Sequence, residues 1–236
     1  MYALKWFKQL APAELPECVL LKLQHLQGNL QGSTVPVKAL KLKKQGTDKI
    51  ISDIVSDLNK LTPDTYKALQ PTILQNMQQC LPEQLQRVAG LILEIASSNR
   101  FYTEVYARLF TVLAEPFGEL KQVYAEKCEL HLHFAVISVN PLTEYDAYCE
   151  QRALAEKRLA FTAFCTHLGT PLLARFEEKF QANLENVALM DELLDHMLLV
   201  HKRCKSSPAF AKQIMLTPNI PNKIMFKCED IADLYQ

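Results

Sequence analysis

Glycine is scarce in this chain: there are six in 236 residues, and three of those fall between Gly28 and Gly46. The glycine-rich devices that cradle phosphate, G-x-x-x-x-G-K-[ST] and G-x-G-x-x-G, do not occur. Nucleotide binding through either is excluded. The sequence also lacks C-x-x-C, H-E-x-x-H and G-x-S-x-G, the spacings of zinc sites, metalloprotease helices and hydrolase elbows. Net charge is absent too, with 26 Lys and Arg against 26 Asp and Glu. The molecule as a whole is therefore not drawn to nucleic acid or to an anionic membrane, and any polyanion contact has to be local. Long apolar runs are missing: Ala89 to Ile95 is broken by Glu94, and Met197 to Val200 is short, against the ~18 residues that a membrane span needs. The opening residues, MYALKWFKQLAPAELPE, place lysine and tryptophan inside a short apolar stretch and do not read as a secretory signal. Seven scattered cysteines, an odd number, fit buried free thiols in a reducing, cytoplasmic compartment better than a disulfide framework.

What is present is helical periodicity. Glycine and proline together make up only 18 residues, so long uninterrupted helices are expected. Ile50, Ile51, Ile54, Val55, Leu58 and Leu61 form a wide stripe on one helical face, and Val88, Leu91, Ile92, Ile95 and Ala96 repeat it. Thr62-Pro63, Leu81-Pro82, Glu115-Pro116, Asn140-Pro141, Thr170-Pro171 and Ser207-Pro208 punctuate the chain, because proline at a first helical position gives up only an amide without a partner. The pattern predicts an all-α fold of ten helices, roughly 48–60, 63–80, 83–98, 101–115, 117–134, 142–168, 171–184, 187–204, 208–216 and 222–234. Short connections make neighbours antiparallel, and five pairs of just under 40 residues approach the ~40–47 of helical-pair repeats. An alpha-solenoid of about five HEAT-like pairs over residues 47–236 is expected rather than a compact bundle.

Residues 1–46 differ. They read as a basic arm with one short helix, about Glu17 to Gln27, and an extended stretch near Val35-Pro36-Val37. Elsewhere, Cys128, His131 and His133 are the nearest approach to a metal cluster. Their spacing on a helix does not put all three on one face, and half-buried helix residues are the simpler reading. Glu177, Glu178, Glu185, Asp191, Glu192 and Asp195 make an acidic stretch, whereas Leu199 to Lys227 holds lysines and an arginine with no acid. Separated faces for docking partners or RNA are one reading; ordinary solubilising charge is the other.

The run Leu58-Asn59-Lys60-Leu61-Thr62-Pro63, with Tyr66 three residues after the proline, closely resembles the first helical pair of the middle domain of eukaryotic translation initiation factor 4 gamma. Ala89-Gly90-Leu91-Ile92-Leu93-Glu94-Ile95-Ala96 and Phe101-Tyr102-Thr103-Glu104-Val105-Tyr106-Ala107 are similar to that family's second pair. Asn222-Lys223-Ile224-Met225-Phe226-Lys227-Cys228-Glu229-Asp230-Ile231-Ala232-Asp233-Leu234 resembles its closing helix. The three matches stand in order, while Leu120 to Asn186 resembles the family in helical pattern only.

The resemblance implies a crescent of five HEAT repeats that binds a DEAD-box RNA helicase of the initiation factor 4A type and modulates its ATP cycle. The scaffold itself catalyses nothing and needs no cofactor. Leu58, Leu61, Tyr66 and Phe226 match positions that matter for helicase docking in the family. Lys38, Lys41, Lys43, Lys44 and Lys49 are candidates for salt-sensitive contacts with RNA phosphates. The tyrosine-leucine motif that grips the cap-binding protein is absent. The alternative is a scaffold of the same superfamily that serves mRNA decay, export or other mRNA metabolism through a different partner. Activation and competition are both open at this point.

Overall fold

The computed structural model describes residues 47–204 and 207–235. The basic arm of residues 1–46, including Lys38, Lys41, Lys43 and Lys44, lies outside them. Among the described residues there are ten α-helices and no strand: α1 Thr47–Leu58, α2 Tyr66–Met77, α3 Pro82–Ser98, α4 Thr103–Ala114, α5 Gly118–Leu132, α6 Tyr145–His167, α7 Leu173–Gln181, α8 Val187–Arg203, α9 Ala209–Met215 and α10 Asn222–Asp233. A 3-10 turn, Arg100–Tyr102, leads into α4.

The periodicity explains the burial. In α3 the buried residues are Leu85, Val88, Ala89, Ile92, Leu93 and Ala96, alternating steps of three and one that trace a single stripe. Ile54 and Leu58 of α1, Ile73 and Met77 of α2, and Leu109 and Leu113 of α4 are fully buried in the same core. Each such side chain contributes about 1.5–3 kcal/mol relative to exposure. The middle of the core is aromatic, with Phe110, Tyr124, Phe161 and Phe164 in tilted and edge-on contacts.

Most helix ends fall within a few residues of where the punctuation puts them, with informative exceptions. The Thr-Pro mark does not start α2 at Pro63. Instead the Thr62 amide donates to Thr65 Oγ1 (2.8 Å), the Thr65 amide donates to Thr62 Oγ1 (3.2 Å), and the Thr65 hydroxyl donates to the Lys60 carbonyl (2.7 Å). These bonds hold a separate turn, and the helix begins at Tyr66. Pro71 stands inside α2, where it removes one amide from the helical ladder. Asn140-Pro141 likewise makes a turn, with Asn140 Oδ1 accepting from the Leu142 amide (3.0 Å), so α6 begins at Tyr145. Where α6 ends, Gly169 takes φ +75°, the left-handed value that glycine reaches without strain, and the Thr170 amide returns to the Cys165 carbonyl (3.0 Å).

The principal packing follows chain order. Helix α1 lies on α2 and α3, α2 on α4, α3 on α4, α5 and α6, α4 on α5 and α6, α6 on α8, α7 on α8, α8 on α10, and α9 on α10. None of these contacts joins helices more than three apart in sequence. A buried hydrogen bond ties the first pair to the second: the Tyr106 hydroxyl of α4 donates to the Leu58 carbonyl at the end of α1 (2.8 Å). At the other end the Tyr235 hydroxyl meets His201 Nδ1 of α8 at 2.7 Å.

Candidate interaction surface

The four apolar residues singled out in the sequence separate into two groups. Leu58 and Leu61 are buried, and Tyr66 is buried beneath the Arg108 guanidinium, which lies 4.7 Å from its ring centroid. These three are core residues of the first pair and shape its surface from within. Phe226 is different, at 58% exposed. Helix α10 buries Ile224, Cys228 and Ile231, and Phe226, two residues from Ile224 and two from Cys228, falls on the opposite face. Lys49, on α1, is exposed, the one RNA candidate among the described residues.

Charges that are separated in sequence come together in space. Lys227 of α10 places its ammonium 2.7 Å from Asp191 and 2.6 Å from Asp195 of α8, and Lys223 lies 2.8 Å from Asp191. Lys227 also donates to the Asp191 carbonyl (3.0 Å). Two acids of the acidic stretch and two lysines of the basic one therefore close the α8–α10 junction instead of standing on separate free faces. Arg158 of α6 takes Glu192 of α8 in a bidentate grip at 2.5 and 2.9 Å, and Arg175 of α7 takes Glu129 of α5 the same way at 2.7 Å.

Between α5, α6 and α8 runs a buried polar chain that periodicity alone does not reveal. His131 Nε2 lies 2.9 Å from Thr162 Oγ1, which lies 2.8 Å from His196 Nδ1. His196 Nε2 has no partner at hydrogen-bonding distance, and the Glu192 carboxylate stands 3.6 Å away. Burial pushes His131 down to about 3, helped by the positive charge of Arg158, and burial also lowers His196. Burial works to raise the Glu192 carboxyl, but the His196 ring and the Arg158 guanidinium outweigh it and hold the group at about 2. Both imidazoles are thus neutral beside a charged carboxylate. One proton arrangement suits them: His196 carries its proton on Nε2 toward Glu192, Thr162 donates to His196 Nδ1, and His131 Nε2–H donates to Thr162.

This order, carboxylate to imidazole to hydroxyl, is also that of a hydrolytic triad. The surroundings give it a structural role. Thr162 and His196 are fully buried, and the Thr162 oxygen already holds both ring nitrogens. The neighbouring cleft of about 660 Å³ between α3, α5 and α6 is lined by His131, Phe134 and Phe161, not by Thr162 or His196. A substrate in the cleft has no line to the hydroxyl.

The residues first weighed as a metal cluster are turned to different tasks. His131 serves the chain just described, Cys128 Sγ lies 3.9 Å from Cys165 Sγ, and His133 follows the end of α5. Among the described residues no group of three His, Cys, Asp or Glu side chains is placed to hold a metal ion, and no helix is long and apolar enough to cross a membrane. Phe101, which opens the second-pair match in the sequence but is not among its candidate site residues, lies in the turn before α4 and is 90% exposed. Its position in a polar turn, Ser98-Asn99-Arg100, was the available signal, because a large apolar residue outside any stripe has no core to enter.

Over the described residues, fold and surface together define an all-α arrangement of ten helices, packed mainly in chain order, whose last helix turns an aromatic side chain outward. No protein-family model and no curated protein matches the chain.

Proposed function

We propose that this chain is a non-enzymatic, cytoplasmic adaptor of the translation-initiation type, an alpha-solenoid of HEAT-like pairs that binds a DEAD-box RNA helicase of the initiation factor 4A kind. The observation that carries the reading is Phe226. It lies in a segment that resembles the family's closing helix, and it turns its ring to solvent while the flanking Lys223 and Lys227 anchor the helix to α8. An exposed aromatic on a well-anchored helix is the kind of residue that dominates a docking surface. The packing of each helix on near neighbours in chain order supports a stacked-pair architecture, in which the two ends of a crescent meet the two lobes of the helicase. Such a clamp changes the ATP cycle by binding one lobe geometry better than another. Lys49 and the lysines of the arm add phosphate contacts with RNA that weaken as salt rises.

The test is titration of the chain into an RNA-stimulated ATPase assay of such a helicase, with binding measured in parallel. Wild type is expected to bind and to change the rate. Phe226→Ala is expected to weaken binding about tenfold with an unchanged thermal melt. Leu58→Ala is expected to lower stability by about 2–5 kcal/mol through a cavity in the first pair. Absence of both binding and a rate change rejects the proposal.

A further inference from the structure

Phe101 stands on a hydrogen-bonded turn. Asn99 Oδ1 accepts from the Phe101 amide (3.1 Å), the Tyr102 amide donates to the Asn99 carbonyl (3.2 Å), and the Thr103 hydroxyl donates to the Arg100 carbonyl (2.9 Å). The ring is 90% exposed, so these bonds hold an apolar group in water without a partner in the fold. Grooves open on both sides of it. One, of about 470 Å³, runs between α6 and α8 over Leu159, Leu198 and Leu199; the other, of about 300 Å³, follows α6 past Lys157.

The charge around these grooves is unbalanced. Of the acids lining them, Glu104 lies 3.9 Å from Arg203 and Asp195 is held by Lys227 at 2.6 Å. Glu156 remains, while Arg100, Lys157 and Lys202 are exposed and make no ion pair among the described residues.

We infer that the grooves flanking Phe101 bind an acidic peptide segment of a partner protein, one that carries a large apolar side chain. Phe101 and the leucine floor take the apolar side chain; Arg100, Lys157 and Lys202 take the carboxylates. A backbone already fixed beneath the aromatic, beside an apolar channel, lowers the ordering cost of binding, and the cationic rim selects the sign of the ligand. Single-stranded RNA fits less well. It is held by successive aromatic platforms along a continuous basic track, whereas here Phe101 is the aromatic that lines the leucine-floored groove, and the exposed Tyr102 beside it stands outside that lining. The site is independent of whether Phe226 meets a helicase.

The experiment is selection of a random displayed peptide library on the full chain, followed by affinity measurement of the enriched peptides on wild type, Phe101→Ala and the double variant Lys157→Glu/Lys202→Glu. Enriched peptides are expected to place Asp or Glu around an aromatic or aliphatic residue. Phe101→Ala is expected to weaken them about tenfold. The charge-reversed protein is expected to lose them and to bind lysine-substituted versions instead. All three side chains are exposed, so circular dichroism melts are expected to match wild type. No enrichment, enrichment without acidic residues, or binding indifferent to both variants overturns the inference. So does a labelled oligouridylate that binds more tightly than every selected peptide and is released by the same substitutions.

Discussion

Thr162 has one proton and two imidazoles to serve, which makes the centre of this molecule sensitive to acid. His131 is held neutral down to about 3, whereas in the unfolded chain a histidine titrates near 6.5. Between those values the unfolded state binds more protons, so stability falls as pH drops from about 6.5 toward 3, by up to about 1.4 kcal/mol per pH unit for each such histidine. His196 is shifted in the same direction. Glu192, held at about 2, adds stability above its unfolded value of 4.5 that is lost as pH falls further. Urea midpoints measured at pH 7.5, 6 and 5 are expected to decline steadily below 6.5, and His131→Asn is expected to flatten the decline. The same scale shows what one sequence reveals about a single side chain. Phe226 is not distinguished from Leu58, Leu61 and Tyr66 by the motif that names all four; the buried stripe of Ile224, Cys228 and Ile231, which it does not join, is what turns it outward. Leu58 and Leu61 are legible as apolar positions of the first pair, but the Tyr106 bond that pins Leu58 in place arrives from 48 residues away and leaves no local trace.

Helices are the scale at which the sequence speaks most clearly. Low glycine, 3.6-residue stripes and proline punctuation locate all ten, since each of these acts within a few residues. Ends that depend on side-chain to backbone bonds are less legible: the Thr62–Thr65 turn competes with helix, and nothing in the order Thr-Pro-Asp-Thr says which wins. Contacts between helices are harder still. Arg158 and Glu192 sit 34 residues apart, and only their meeting shows why α8 carries an acid on its inner side. Both are largely shielded from solvent, so Arg158→Met is expected to cost about 3 kcal/mol by stranding the Glu192 carboxylate. The double variant Arg158→Met/Glu192→Leu is expected to recover most of that loss, as read from urea denaturation.

For the ten described helices taken together, the principal packing joins near neighbours in chain order, and in the solenoid proposed above stability is approximately a sum of junctions. Damage at one junction then stays local. Lys227→Met removes the cation between Asp191 and Asp195, and hydrogen exchange is expected to quicken in α9 and α10 while protection in α3 to α6 is unchanged. Uniform loss of protection would instead mark a single cooperative core. Such junctions are also why the opposite charges of α8 and α10 look like separate faces in the sequence: their pairing is a property of the contact between the two helices, not of either segment.

The connection from α5 to α6 is fastened at its start by another helix. Lys179 of α7 donates to the Leu132 carbonyl (2.7 Å) and the Phe134 carbonyl (2.5 Å) and sits 3.9 Å from the centre of the Phe134 ring, while Asn186 donates to the Val136 carbonyl (3.2 Å). Beyond that clasp the strand of chain reaches Leu142, 92% exposed, before α6 begins. Residues between the clasp and α6 are therefore the place where evolution or an engineer can splice in extra length, a reporter tag or an entire inserted module. Doubling a free loop costs only about 0.6 kcal/mol in closure entropy, and the helices on either side would keep their seats.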